Sequence, residues 1–328
     1  MNLISCEQKI VIFGAKGMVG SAILRCLQKN GYSKILTPSK EELNLLENKQ
    51  VKEWFNQNKP EIVILAAAKV GGIYANNNFP ADFILENLKI QTNIIDNSFK
   101  NKIKKFLFLG SSCIYPKYAS QPIKEEELLS GYLEPTNQWY AIAKIAGIKL
   151  CEALNKQYEF NAISLMPTNL YGPGDNYDPL KSHVLPSLIS RFYNAKIEKE
   201  QEVFCWGTGT PLREFLHVDD LAQACLFALE KWDIKNQSTF SDRNGEKLSY
   251  LNVGTGKDIS IYDLAYLIAD IIGYKGSICW DHSKPDGTPK KQLDITRINS
   301  LGWYPQITLE KGLEQTIDLY KKMHQANN

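Results

Sequence analysis

Tyr140 and Lys144 are four residues apart in Tyr140-Ala141-Ile142-Ala143-Lys144. That spacing sets two side chains on one face of a helix, one turn from each other. A free tyrosine hydroxyl titrates near pH 10 and is a poor acid at neutrality. An ammonium one turn away is expected to stabilise the phenolate and draw its pKa towards the working pH, giving a proton donor for a carbonyl oxygen. The same spacing also suits a surface lysine beside a half-buried tyrosine on an ordinary amphipathic helix. The pair gains chemical meaning only if the chain supplies a cofactor and a substrate. Ser111 and Cys113, in Gly110-Ser111-Ser112-Cys113-Ile114-Tyr115-Pro116, are the next candidates. A free cysteine is usually a small buried hydrophobe; one placed two residues past a strand-end serine reads equally as a reactive group. His183 is one of four histidines, and a lone histidine is more often structural than catalytic. His217, in Phe215-Leu216-His217-Val218, reads as that structural case. Arg191 and Arg213 can cap helices or pair with acids, and they also suit the phosphates of a nucleotide-linked substrate. The histidines and cysteines lack metal-ligand spacing.

A cofactor site is written near the start. Lys9-Ile10-Val11-Ile12-Phe13 is a short apolar, β-branched run that runs straight into Gly14-Ala15-Lys16-Gly17-Met18-Val19-Gly20, and residues with helical spacing follow. Strand, glycine turn and helix is the context in which such a loop binds a dinucleotide. The first glycine permits the tight turn, the second lets a pyrophosphate approach, and the third lets helix pack on strand. The next strand, Lys34-Ile35-Leu36, ends in Thr37-Pro38-Ser39-Lys40. NAD-preferring proteins usually place a carboxylate there for the ribose 2′-hydroxyl. Lys16 and Lys40 can instead meet a 2′-phosphate, which predicts NADP over NAD.

Further strands are expected at 61–68, 105–109 and 162–165, with helices at 80–99 and 137–158. Val70–Ile73 and Asn76–Asn78 read as loop. Alternating strands and helices predict an α/β fold with a doubly wound parallel, Rossmann-type sheet, and in such sheets the chemistry sits beyond the carboxyl ends of the strands. After Pro173 the pattern changes: a loop over 174–186 carries His183, and a helix near 186–197 carries Arg191. A strand at 203–206, a helix capped by Asp219 and ending near Trp232, a polar exposed stretch from 238 to 247, and helices at 260–272 and 309–324 complete the chain. The expected division is a dinucleotide-binding domain over 1–173 with a return segment about 214–255. A smaller α/β lobe from 174–213 and 256–328 packs on it, with a ligand cleft between.

The length of 328 residues favours about two domains. A net charge of +2 with interspersed acids and bases offers no basic stripe for nucleic acid. No apolar run approaches a membrane span, and the N-terminal residues lack the blocks of a signal peptide. Seven scattered cysteines without a C-x-x-C pair argue for reduced thiols in the cytoplasm.

The glycine loop, the Ser111 strand end and Tyr140-x-x-x-Lys144 together resemble the extended short-chain dehydrogenase/reductase superfamily. Within it the chain is most similar to the epimerase/reductases of GDP-4-keto-6-deoxy-D-mannose. Blocks that carry this resemblance include Ala66-Ala67-Ala68-Lys69-Val70-Gly71-Gly72-Ile73, Met166-Pro167-Thr168-Asn169-Leu170-Tyr171-Gly172-Pro173, Arg213-Glu214-Phe215-Leu216-His217-Val218-Asp219-Asp220 and Lys284-Pro285-Asp286-Gly287-Thr288-Pro289. The likeness covers nearly the whole chain. Ala15-Lys16 replaces the His-Arg often seen in this group, and a lysine is a point charge where arginine could stack on adenine. The resemblance implies 3,5-epimerisation followed by reduction of the 4-ketone by NADPH. It implies Cys113 and His183 as the acid–base pair, Tyr140 as the donor to the ketone oxygen, Lys144 as its partner on the nicotinamide ribose, and Ser111 as a hydrogen bond to the reacting oxygen. It implies further NADP contacts at Leu109, Gly110, Ser111, Ser112, Pro167, Thr168, Asn169, Leu170 and His183. GDP-sugar contacts are implied at Arg191, Trp206, Arg213 and Asp286, so that the smaller lobe would hold the GDP-sugar. A homodimer through helices 80–99 and 137–158 is also implied.

Overall fold

The computed structural model describes residues 2–178, 182–233, 240–242, 245–284 and 286–326. Its first half alternates as expected: β1 (Ile10–Phe13), α1 (Met18–Lys29), β2 (Ile35–Leu36), α2 (Asn48–Asn58), β3 (Ile62–Leu65), α3 (Ile73–Asn78), α4 (Pro80–Lys100), β4 (Lys105–Leu109), α5 (Gln138–Tyr158) and β5 (Ala162–Pro167). The second half is built of shorter pieces. These are β6 (Asn169–Tyr171), α6 (Val184–Glu198), β7 (Glu202–Trp206), β8 (Leu212–His217), α7 (Val218–Lys231), β9 (Tyr250–Val253), β10 (Asp258–Ser260), α8 (Ile261–Ile272), β11 (Ser277–Asp281), β12 (Lys290–Lys291), α9 (Thr296–Ser300) and α10 (Leu309–Ala326).

Six strands form one parallel sheet in the order β2-β1-β3-β4-β5-β9. Every residue of β1, β3, β4 and β5 is buried, as expected of apolar strands covered by helices on both faces. Strand order turns at β1, with β2 on one side and β3 on the other. That switch point opens a crevice at the carboxyl ends, and the glycine loop lies there. Lys105 is the one charged residue in these four strands, and it is buried. Its ammonium donates to the carbonyls of Ala228, Leu229 and Trp232 at 3.1, 3.0 and 2.7 Å, and so closes the last turn of α7. Helices α4 and α5 pack closely: a Cβ on Gly147 would lie 2.9 Å from the Gln91 side-chain oxygen, and the Gln91 amide donates to the Ala143 carbonyl.

A second core gathers Leu185, Leu188, Ile189 and Phe192 of α6 with Val203, Cys205, Leu264, Ile268, Leu313 and Ile317. The small sheets β10-β8-β12, β6-β8 and β7-β11 border it. The segment expected to lie wholly in the smaller lobe, 256–328, contributes to both cores, since Leu293, Ile298 and Trp303 pack with the large sheet.

Two local expectations change. Residues 73–78 form a helix where loop was expected. The helix at 218–231 is capped by the Nδ1 of His217, which accepts from the Asp219 N–H at 3.2 Å, while Asp219 pairs with Arg25 at 2.8 Å. The structural role expected of His217 is thus its role here. The polar stretch 238–247 falls partly outside the described residues, as do residues 179–181 of the loop before α6 and Pro285. Among the described residues no helix is long and apolar enough to cross a membrane.

Candidate active site

The glycine loop turns where β1 ends. Gly14 has φ +92°, and a Cβ there would meet the Ala67 nitrogen at 2.7 Å. A Cβ on Gly20 would lie 2.1 Å from the Gly14 carbonyl oxygen. The first and third glycines are therefore fixed by close approach of loop, strand end and helix. Gly17 is exposed and has nothing nearer than 3.4 Å to such a Cβ. It caps α1 with no side chain bound to the first N–H groups. Open glycine backbone at a helix N-terminus, flanked by Ala15, Met18 and Val19, is a cradle that fits a dinucleotide pyrophosphate. Lys16 and Lys40 are both exposed beside it. Lys16 faces Glu41 at 3.6 Å, an exposed, solvent-screened pair that a phosphate can readily replace.

Strands β4 and β5 deliver the next groups to the same edge of the sheet. Leu109 and Gly110 close β4; a Cβ on Gly110 would collide with the Met166 sulfur at 2.2 Å. Past Pro167, the Thr168 hydroxyl and Asn169 amide donate to the Glu214 carbonyl at 3.2 and 2.8 Å, which ties the segment before Leu170 to β8. Lys144 is buried on α5 and donates to the Leu109 carbonyl at 2.7 Å. Its ammonium lies 4.8 Å from the Phe108 ring centre and 5.8 Å from that of Tyr140. Burial lowers its pKa to about 7. Tyr140 shares the helix face as the spacing requires, but its hydroxyl is pushed up, not drawn down. Burial is the main cause and the Cys113 sulfur adds to it, while a hydrogen bond with Ser111 acts the other way. Lys144 turns its N–H groups to Leu109, and desolvation therefore decides the hydroxyl's state.

Ser111 begins the short turn Ser112–Ile114, and its Oγ accepts from the Cys113 N–H at 3.2 Å. The Cys113 sulfur receives the Lys291 ammonium at 3.4 Å. Burial pushes this thiol up, but Lys291, Ser111 and Arg213 together outweigh it and hold the thiol below its usual range. His183 stands at the N-terminus of α6 with solvent access. The protein packed about its ring, and then the Lys291 charge, hold the imidazole below its usual pKa. One pocket is lined by Ser112, Cys113, Glu134, Asn137, Thr288 and Lys291, among others.

The groups expected to meet the GDP-sugar come from β7, β8, α6 and the 286–289 loop. Arg191 donates to the Phe204 carbonyl and at 3.4 Å to the Ser187 hydroxyl. Trp206 is exposed, with the Lys284 ammonium 5.7 Å from its ring centre. Asp286 accepts from the Thr208 N–H and hydroxyl at 2.7 and 2.9 Å, and its carbonyl accepts from Arg213 at 3.4 Å. Asp286 is thus engaged in holding the Gly207 turn against its own loop. Among the described residues no group of three or more His, Cys, Asp and Glu side chains could hold a metal ion.

A family model described as "NAD dependent epimerase/dehydratase family" matches residues 10–240. GDP-L-fucose synthase 1 of Arabidopsis thaliana is 52% identical over 96% of this chain and 93% of its own length. GDP-L-fucose synthase of Escherichia coli K12 is 52% identical over 94% of this chain and 95% of its own. A GDP-mannoheptose C4 reductase of Campylobacter jejuni, solved with NADP bound, is 37% identical, superposes with a TM-score of 0.87, and matches 97% of this chain and 99% of its own. The chain belongs to the NAD dependent epimerase/dehydratase family. Within that family it groups with the GDP-L-fucose synthases, members of the extended short-chain dehydrogenase/reductase superfamily.

In this epimerase/dehydratase-family chain, three residues near the site escaped the sequence reading. Lys291 lies in a two-residue strand, too short for any period-2 signal, inside a polar stretch that reads as solvated charge. Glu214 is fully buried and accepts from the N–H groups of Thr255, Gly256 and Leu293 at 2.6, 2.8 and 2.7 Å, binding β8 to the loops around the site. Asn137, just before α5, lines the Cys113 pocket with its Oδ1 buried and without a partner. Only Glu214 left a trace, as a carboxylate in the apolar run Phe215-Leu216.

Proposed function

We propose that the chain converts GDP-4-keto-6-deoxy-D-mannose to GDP-L-fucose by 3,5-epimerisation and reduction at C4. The cofactor is NADPH, and when bound it supplies the hydride that reduces the ketone. The observation that carries this reading is the convergence of Ser111, Cys113 and Tyr140 at the end of β4, in a chain 52% identical to two GDP-L-fucose synthases. Protons on C3 and C5 are acidic because each carbon adjoins the ketone. Cys113 and His183 serve as the acid–base pair that removes a proton and returns one to the opposite face. Ser111 holds the 4-oxygen and Tyr140, kept protonated by burial, donates to it. Lys144, fixed by Leu109, positions the nicotinamide ribose. The loop Gly14–Gly20 with Lys16 and Lys40 holds the adenine end, and residues 109–112 and 167–170 line the rest of the cofactor path. Arg191, Arg213 and Trp206 meet the GDP, and Asp286 shapes their loop. The smaller lobe, 174–213 and 256–328, supplies these substrate contacts; most of the second core comes from it, while Leu293, Ile298 and Trp303 tie it to the large sheet.

Leu85, Trp139 and Ile142 expose apolar surface on α4 and α5, consistent with a homodimer through those helices. The free cysteines fit a cytoplasmic enzyme. Incubation with GDP-4-keto-6-deoxymannose should lower NADPH absorbance at 340 nm; an unchanged absorbance would sink the assignment. A C4 reductase without epimerase action is the second reading, favoured by the likeness to the Campylobacter jejuni enzyme. Retained sugar C–H bonds in D₂O would select it.

A further inference from the structure

Strand β12 pairs in parallel with β8, with Lys290 opposite Leu212 and Lys291 opposite Arg213. Successive side chains of a strand point to opposite faces. Lys290 accordingly meets the Asp258 carboxylate at 3.2 Å, while Lys291 reaches the Cys113 sulfur at 3.4 Å. No carboxylate shares the Lys291 ammonium among the described residues. Its nearest assigned partner is therefore the sulfur, and register brings Arg213 to its side.

We infer that Lys291 is the positioning residue of the epimerisation, holding the Cys113 sulfur as the thiolate that takes a proton from the sugar carbon beside the ketone. This rests on the reading of Cys113 as that base. The thiolate accepts the proton and becomes a thiol; the C–H electron pair forms the C=C bond of the enolate, and the charge passes to the 4-oxygen. Reprotonation of the carbon from the opposite face reverses that electron flow. The thiolate carries the negative charge and basicity this step needs; the thiol, already holding its proton, does not. Several groups face the sulfur. Lys291 from β12 and Arg213 from β8 favour its charge, as does the Ser111 hydroxyl from its own segment, and Tyr140 from α5 faces it as a neutral phenol. The Lys291 charge also reaches His183 and favours its neutral ring. One ammonium thus biases both members of the acid–base pair.

The test compares wild type, Lys291→Met, Lys291→Arg and Lys290→Met, with Cys113→Ser giving the background from the exposed Cys6. Iodoacetamide alkylation of Cys113 is followed against pH, and substrate C–H exchange is followed by NMR in D₂O. Loss of the Lys291 charge should slow alkylation at pH 7 about tenfold, the equivalent of one pKa unit. Its midpoint should move to higher pH; Lys291→Arg should restore most of the rate, and Lys290→Met should match wild type. Exchange by Lys291→Met should fall likewise and recover as pH rises, which a purely structural defect would not do. Should the Met variant not fold, Lys291→Gln carries the same comparison. An alkylation profile unmoved by loss of Lys291, with wild-type exchange intact, overturns the inference. Wild-type protein that exchanges neither carbon overturns the reading of Cys113 as base, and this inference falls with it.

Discussion

Tyr140 and Cys113 are two weak acids beside the same serine, and burial pushes both towards the protonated form. Their surroundings then diverge. Tyr140 has the Lys144 ammonium 5.8 Å from its ring centre, but Lys144 is itself buried, bound to the Leu109 carbonyl, and its pKa is drawn to about 7. Cys113 faces Lys291 at 3.4 Å and feels Arg213 as well. The phenol therefore keeps its proton while the thiol is held below its usual range. A donor for an alkoxide must start protonated and a base for a C–H bond must not. On the proposed reading those two demands fall on Tyr140 and Cys113, and the directions of their shifts agree with it.

The largest break in this comparison is Tyr140→Phe. A positioned general acid is worth about 10²–10⁴-fold, so NADPH oxidation should fall by that order while NADPH still binds by fluorescence titration. Unchanged turnover would exclude the donor role. Cys113→Ser should follow, with loss of C–H exchange in D₂O by about 10²-fold or more and cofactor binding intact. Exchange retained at both carbons would remove Cys113 as the base.

The pH profiles should separate the two residues further. Exchange should rise with pH and level off below the ordinary thiol range, because the cations around Cys113 favour its ionised form. Reduction should show no gain from tyrosine ionisation below about pH 10, the ordinary phenol value, since burial raises Tyr140 above it. A reduction rate that climbs through neutrality in step with phenolate absorbance would contradict this.

The smallest effect on chemistry is expected at the other buried lysine of the large sheet. Lys105 is drawn down to about 8 by burial, with its N–H groups spent on three carbonyls of α7. Lys105→Met leaves those carbonyls unpaired, at a cost of about 1–3 kcal/mol, read as a lower urea midpoint. Turnover per folded molecule should stay as in wild type. The sign of its pH effect follows from linkage. The folded pKa lies below the unfolded value, so between about pH 8 and 10.5 the unfolded chain binds more protons. Wild-type stability therefore gains a rising contribution over that window, and Lys105→Met lacks it.

Long repeating patterns are legible in the sequence itself. Apolar strands, the glycine loop and the 138–158 helix each carry many residues with one period, and Tyr140-x-x-x-Lys144 needed only helical spacing. Short elements were not. Strands β6, β10 and β12 span two or three residues and exist because β8 pairs with each of them, a tertiary fact with no local trace. Lys291 was hidden for that reason. The direction of the Tyr140 shift has another origin: spacing puts a cation one turn away, but only packing shows that the ammonium donates to the Leu109 carbonyl and that protein surrounds the phenol closely enough for desolvation to dominate. The expected loops at 70–73 and 76–78 meet a helix at 73–78, because Asn76 uses its amide on the Gly71 and Gly72 carbonyls and holds the turn closed, a contact with no pattern in the sequence.

The most direct measurement is NMR of the product formed from GDP-4-keto-6-deoxymannose with NADPH in D₂O. Two acids in opposite states at one serine predict GDP-L-fucose carrying deuterium at both C3 and C5, formed with one NADPH consumed per sugar. A product reduced at C4 with hydrogen retained at both carbons would contradict the account, leaving Tyr140 its role and Cys113 none.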